Sequence, residues 1–426
     1  MGGNHMSAVG VPVAPEQTDL KQLSKTAAVL CLMLLAAAYI TNAMDRHIFP
    51  TLLPMISKSM GFGVKSGGFV ATIFNFGIAI TGIPAGYLLD RWSRKAVLVS
   101  GMVVYSLFTL MTVFGIGLWD MTVYRTLTGV GEAMQIAALY VAAGSYFYRN
   151  RAFVVGCINV GYGIGGVLGP YFGTRLAVAT GSWKPPFVVF CFTGLIMAAL
   201  VWVLIPKAFS ERKGLQHLSA VDQAAVMNVP ERLWNWNTCL IAPSTLCLGT
   251  IMWGFLGLYP TFLRTQLHFT PGVVATIFSI YGFGCMLPML GGWVGDRFSN
   301  RGALLVCYCS VSVVTYFIYH LATLPWHHYV LSFLMALLCS STLHVNTLAL
   351  LQRSVRPEKT GRATGIFTSL HFLGGGFSGF LFGALVDKFG WANAGLLQET
   401  LIPIVAVLLL LAVKPELQWQ SRHLSH

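Results

Sequence analysis

Apolar residues run through this chain in unbroken stretches of about twenty, parted by short polar turns, and each is long enough to span a bilayer. The stretches cover 26–56, 67–89, 96–118, 121–147, 152–178, 184–206, 237–263, 271–295, 302–322, 328–351, 361–386 and 393–413. Strands of a membrane barrel would instead alternate apolar and polar positions over about ten residues. Continuous runs therefore predict helices, which satisfy their own backbone hydrogen bonds in lipid. The pattern gives an all-α membrane protein with twelve spans.

One polar stretch is much longer than the other turns. It covers Lys207–Asn235 and carries Glu211, Arg212, Lys213, Asp222, Glu231 and Arg232. It divides the chain into a tail (1–25), a six-helix bundle (26–206), a linker (207–236), a second six-helix bundle (237–413) and a final tail (414–426). Basic residues set the expected orientation. Arg91, Arg94, Lys95, Arg149, Arg151, Arg297, Arg301, Arg353, Arg356, Lys359 and Arg362 fall in alternate turns, with Lys21, Lys25, Lys414 and Arg422 in the tails and further cations in the linker. The opposite turns hold Lys58, Lys65, Lys184, Arg264 and Lys388. Both termini are thus expected in the cytoplasm, with the chain in the cell (inner) membrane. The first apolar stretch lacks a small-residue cleavage site, so it is read as a span, and Met1–Met6 is read as an expression scar.

Composition agrees with the pattern. Apolar residues make up 55% of the 426 positions and charged residues 10%, far below the quarter or so that a water-soluble surface needs. The net charge of +13 could suggest nucleic acid, but the cations lie in short turns rather than on one face, and no nucleic-acid partner is expected. Nine cysteines lie in apolar stretches without metal-like spacing and read as small buried side chains. No phosphate-binding loop, catalytic triad or metal-binding helix is present. No enzyme activity, metal or cofactor is expected.

An internal repeat follows the second span of each half. The first copy is Gly86-Tyr-Leu-Leu-Asp90-Arg91-Trp-Ser-Arg94-Lys95, and the second is Gly292-Trp-Val-Gly-Asp296-Arg297-Phe-Ser-Asn-Arg301. Two such loops in register, twelve spans and a central linker together resemble the major facilitator superfamily along the whole chain. The family form has Gly where Ser93 and Ser299 stand. The resemblance implies two bundles that rock about a central site, with one expected monomer as the working unit. It also implies that Gly86, Asp90, Arg91, Arg94, Asp296 and Arg297 form a gating loop that latches the halves together.

A few ionisable residues lie inside the spans. Each costs about 2.5–3.5 kcal/mol or more at mid-bilayer, so each asks for a function. Span one carries Asn42, Asp45, Arg46 and His47, the first three on one helix face. Span four carries Arg125, Thr128, Gly129, Gly131, Glu132 and Gln135. Arg125 and Glu132 are two turns apart, about 10 Å along one face. The two spans run in opposite directions, so these charges are expected to meet near the midplane. There Asp45 can neutralise Arg125 or Arg46, and Glu132 can do likewise. A carboxylate beside a permanently charged arginine is a minimal device for coupling a proton to an organic anion.

Asp-Arg in span one with Arg125…Gly129-Val-Gly-Glu132 in span four resembles the anion:cation symporter branch of the superfamily. The resemblance implies proton handling by Asp45 and Glu132, and substrate contact by Arg46 and Arg125. Asn42, His47, Gln135 and Tyr259 complete the expected substrate site. The same strings also resemble the Spinster branch, which moves lysolipids and sphingolipids. The stretch Phe74-Asn75-Phe76 departs from both. The expected partners are a small organic anion (a carboxylate or sugar acid), protons and the bilayer. A transporter-like receptor is the alternative outside transport. Gly165…Gly169-Pro170…Gly173 in span five resembles the drug/proton antiporter motif and reads physically as a close-packing face. His344 and His371 are expected to wall a polar cavity or to serve as satisfied packing. Arg264 is expected at the mouth beside Tyr259, and Glu399 at the membrane interface in span twelve.

Overall fold

The structure, a computed structural model, describes residues 23–147, 151–211, 229–356 and 359–418. Both expected tails and the middle of the linker therefore fall largely outside the described residues, as do the side chains of Asp90 and Asp296. Among the described residues every regular element is helical.

The first six helices are α1 (Lys25–Met60), α2 (Val64–Thr72 and Phe74–Arg91), α3 (Arg94–Thr112), α4 (Leu118–Tyr146), α5 (Arg151–Thr180) and α6 (Lys184–Leu204). After the linker come α7 (Trp236–Thr265), α8 (Pro271–Gly284 and Pro288–Phe298) and α9 (Asn300–Tyr316, extended by a π-helical turn, Phe317–Leu321). Next is α10, built from Pro325–Met335, the π segment Ala336–Leu343, and His344–Arg353. The helix Thr360–Ala394 breaks at Gly390, whose φ of 77° lies in the left-handed region that glycine tolerates. The part before the break is α11. The part after it, with the π segment Gly395–Thr400 and Leu401–Leu411, is α12.

Eight of the described helices, or nine with the bent pair of α8, are long and apolar enough to cross a membrane. One of the eight, Arg362–Leu411, is 50 residues long. At 1.5 Å per residue it is about 75 Å, more than twice the hydrocarbon thickness, so its break makes it two passes. Helices α4 and α5 fall outside that set. The first carries Asp120, Arg125 and Glu132, and the second is rich in glycine. With them the described residues form twelve long helices.

Within each half the helices pack as neighbours: α3 on α4, α1 on α5 and α2 on α4; then α7 on α11, α8 on α10 and α9 on α12. The halves meet where α2 lies on α11 and α5 on α8. Their meeting is one-sided along the helices. A methyl on Gly68 would sit 2.3 Å from the Gly379 carbonyl oxygen, and one on Gly383 would sit 2.4 Å from Lys65 Cα. On the same two helices, Gly82, Gly86 and Gly365 face open space within 4 Å. Between α2 and α11 the bundles are thus zipped at the end far from the repeated loops and open at the loop end. The zip is bonded as well as packed: Thr72 Oγ1 donates to the Gly376 carbonyl at 3.2 Å and accepts from the Gly379 N–H at 3.2 Å.

Candidate functional site

The Gly129-Val-Gly131 string explains how α4 reaches its neighbours. A methyl on Gly129 would sit 1.9 Å from the Phe74 carbonyl oxygen of α2, and one on Gly131 would sit 2.4 Å from the Tyr105 amide of α3. Bare backbone at both positions brings α2 and α3 against the charged stripe of α4. Proximity to α1 follows from polar bonding. Asn42 Nδ2 donates to Gln135 Oε1 at 2.8 Å, and Gln135 Nε2 donates to the Ala38 carbonyl at 3.0 Å. Arg46 Nε and Nη2 both donate to Glu132 Oε2, at 3.0 and 2.6 Å. The antiparallel register expected from the i, i+3, i+4 spacing is thus realised, one rung per turn.

All eight charged and polar residues of the two stripes are buried: Asn42, Asp45, Arg46, His47, Arg125, Thr128, Glu132 and Gln135. The pairing is narrower than expected. Glu132 takes Arg46, while Asp45 is held by a hydroxyl: Thr109 Oγ1, from α3, donates to Asp45 Oδ2 at 2.8 Å. Arg125 lies 4.4 Å above the Phe49 ring and 5.1 Å above the Phe74 ring. It is fully buried, and none of its three side-chain nitrogens has a hydrogen-bond partner among the described residues. Asp45 and Glu132 are its electrostatic neighbours without bonding to it. A buried charge needs hydrogen bonds or a counter-charge at short range, and Arg125 has the two rings and two carboxylates that do not bond to it.

The second half faces this cluster with Trp253 of α7, 5.8 Å from the Arg46 guanidinium carbon. Trp253 Nε1 donates to His371 Nε2 at 3.2 Å, and His371 packs edge-on to His344 at 4.9 Å. Asn75 lies by Gly375 and leaves both its polar atoms unbonded, as do His47 Nε2, His344 Nδ1 and His371 Nδ1. His47 packs on Tyr162 and Tyr281. Thr109 and Trp253 are not legible as site residues in the sequence, because neither carries a charge. One signal for Trp253 was present: it is an indole inside a span, six residues before Tyr259.

Tyr259 is elsewhere. Its hydroxyl bonds His328 Nδ1 at 2.8 Å and its ring stacks on Phe255, wholly inside the second bundle. Arg264 of the same helix donates to the Phe269 carbonyl. Glu399 also departs from expectation. It is fully buried rather than interfacial, because the break at Gly390 turns α12 so that this residue faces α7.

At the repeated loop, Gly86 and Arg91 are exposed, with the Arg91 guanidinium 4.3 Å from the Tyr87 ring. Ser93 caps α3 by accepting from the Ala96 N–H at 3.1 Å. Glu211, just past α6, accepts from the Arg94 and Lys95 N–H groups at 3.1 and 3.2 Å. Arg94 Nη1 also donates to the Ser210 carbonyl at 3.4 Å. These bonds tie the loop to its own half. Arg297 of the second copy is exposed, and Ser299 caps α9 through the Gly302 N–H at 3.1 Å.

The hexuronate transporter of Bacillus subtilis (strain 168) is 32% identical over 171 residues, 40% of this chain and 40% of that protein. Human protein spinster homolog 1 is 27% identical over 210 residues, 47% of this chain and 40% of that protein. The chain thus spans about two fifths of the length of each of these relatives. Among solved structures, a bacterial homolog of the human lysosomal transporter Spinster, inward-facing and unoccupied, superposes with a TM-score of 0.72 at 15% identity, covering 93% of this chain and 99% of that one. The sequence profile of the Major Facilitator Superfamily matches twice, over residues 35–243 and 241–425. These two matches span the helices and the site described above, and the chain belongs to the Major Facilitator Superfamily.

Proposed function

We propose that this chain is a proton-coupled secondary transporter that moves a small organic anion, a carboxylate or sugar acid, by alternating access. The observation that carries this reading is Arg125: a permanent cation, fully buried, with no hydrogen-bond acceptor on its nitrogens among the described residues. A carboxylate is the natural complement of a guanidinium in such a setting.

Coupling follows from the Arg46–Glu132 pair. While Glu132 is ionised it occupies the Arg46 guanidinium. A proton on Glu132 cancels that charge and frees Arg46 for the substrate carboxylate. Proton and anion then load together, and neither is favoured alone. Asp45, beside Arg125 and held by Thr109, is the second proton-handling carboxyl. Asn42 and Gln135 keep α1 and α4 in register for the exchange. Asn75, Trp253, His371 and His47 offer polar atoms and an indole face to the rest of the substrate.

The parted loop end and zipped far end correspond to one state of the cycle. By the orientation of the basic turns this is the inward-facing state. The reading places the chain in the cell membrane as a monomer with both termini cytoplasmic.

A second reading, a Spinster-like lysolipid carrier, draws support from the spinster relatives. The unbonded polar atoms of Asn75, His344 and His371 favour a hydroxylated acid over an acyl chain, since an apolar ligand would leave them unsatisfied. Purified protein in liposomes loaded with a pH dye tests the two. Acidification driven by a sugar acid or monocarboxylate, and abolished in Asp45→Asn, supports the first. Silence with every acid, together with movement of a labelled lysolipid, overturns it.

A further inference from the structure

The second bundle buries a carboxyl that the reading above does not use. Glu399 lies in the π segment Gly395–Thr400 of α12 and is fully inaccessible. Its Oε1 accepts from Gln398 Nε2 at 3.4 Å, and its Oε2 has no partner among the described residues. The neighbours that face it are uncharged. Helix α7 presents Gly254, where a methyl would sit 2.3 Å from Gln398 Nε2 and 2.7 Å from Glu399 Oε1. Helix α9 contributes Tyr319, whose ring lies against Gly395, and Thr315, whose Oγ1 donates to the Glu399 main-chain carbonyl at 3.0 Å; Cys339 of α10 is an electrostatic neighbour, and α11 presents the Ser378 carbonyl, which accepts from Gln398 Nε2 at 3.1 Å. The titratable groups among these are Tyr319 and Cys339, neither of them a base. No arginine, lysine or histidine bonds to Glu399 among the described residues.

Two further observations point to a ligand. Gln398 Oε1 and the Tyr319 hydroxyl are also buried and unpartnered. Three π-helical segments, one each from α9, α10 and α12, supply Tyr319, Cys339 and Glu399 to this spot. Wide turns of this kind interrupt regular helix bonding and concentrate at functional sites. The cluster adjoins the central site through one residue, because Gly254, which lies against Glu399, follows Trp253 in the chain.

We propose that this buried cluster is a second cation site, in which the Glu399 carboxyl takes up one small monovalent cation, a proton or sodium. A lone carboxylate in a low-dielectric interior is tolerable only when neutralised. Uncharged oxygens from an amide and a phenol suit either a hydrogen bond or a hard cation. Coupling of this site to substrate movement rests on the transport reading; occupancy of the site does not.

The experiment needs no substrate. The full chain in nanodiscs is followed by infrared difference spectroscopy, first between low and high pH without sodium, then on adding sodium chloride, with binding of radioactive sodium measured in parallel. Loss of a buried neutral-carboxyl band at high pH, absent from the Glu399→Gln spectra, supports a proton. One sodium bound per chain, lost in Glu399→Gln, supports sodium. Gly254→Ala, which keeps the carboxyl but pushes Gln398 and Glu399 off α7, is expected to weaken either signal at least tenfold and serves if Glu399→Gln does not fold. Asp45→Asn with Glu132→Gln is expected to leave the signal in place. A band unchanged at every pH and sodium concentration with no sodium bound, or signals identical in wild type and Glu399→Gln, overturns the proposal.

Discussion

Arg46 gives two of its donors to a single oxygen of Glu132, at 3.0 and 2.6 Å, and leaves the other oxygen of that carboxylate unbonded. One protonation therefore cancels the charge that holds this arginine. Coupling by exchange of partners requires a pair of this kind, made by one carboxylate and broken by one proton.

Glu132→Gln removes that charge permanently. The amide still bonds Arg46 but cannot hold or release a proton. Substrate exchange between two sides of a liposome is expected to persist, while uphill accumulation driven by a pH gradient falls to background. Accumulation equal to wild type would show that coupling lies elsewhere.

Arg125→Met separates binding from folding. Removing an unpaired buried cation relieves a desolvation cost, so the thermal midpoint is expected to hold or rise. Anion affinity is expected to drop at least tenfold, about 1.4 kcal/mol. Destabilisation with unchanged affinity would make Arg125 a structural residue.

Glycines of the two motifs should respond oppositely. Gly129→Ala forces a methyl to within 1.9 Å of the Phe74 carbonyl oxygen, a backbone clash expected to cost about 1–3 kcal/mol. Gly86→Ala meets nothing within 4 Å. Monodispersity after heating should fall in the first variant and stay at wild-type level in the second.

Cysteine labelling reads the state of the bundles. On a background without the nine native cysteines, all of them free thiols here, Gly86→Cys is expected to react readily with a polar maleimide. Thr72→Cys, buried between α2 and α11, is expected to be protected. A saturating sugar acid should slow the first reaction and speed the second. Equal rates with and without substrate would argue against rocking of the halves.

The sequence alone determined the helical class, the position of the long polar linker, the doubled loop and the two charged stripes. Each rests on information local to one helix. Span length is set by consecutive apolar residues, and a shared face is set by spacing of three, four or seven. Partner choice is not local. Which carboxylate meets which arginine depends on the angular position of each helix, and that is fixed by backbone contacts such as Gly129 on Phe74 and Gly131 on Tyr105. Tertiary structure therefore gave Arg46 to Glu132, gave Asp45 to Thr109 and left Arg125 over two rings. It moved Tyr259 away to His328 and brought Trp253 to the charges instead. The turn at Gly390 carried Glu399 from its expected interfacial place into the interior of the second bundle. A chain pattern specifies which side chains a helix presents; only packing specifies what they face.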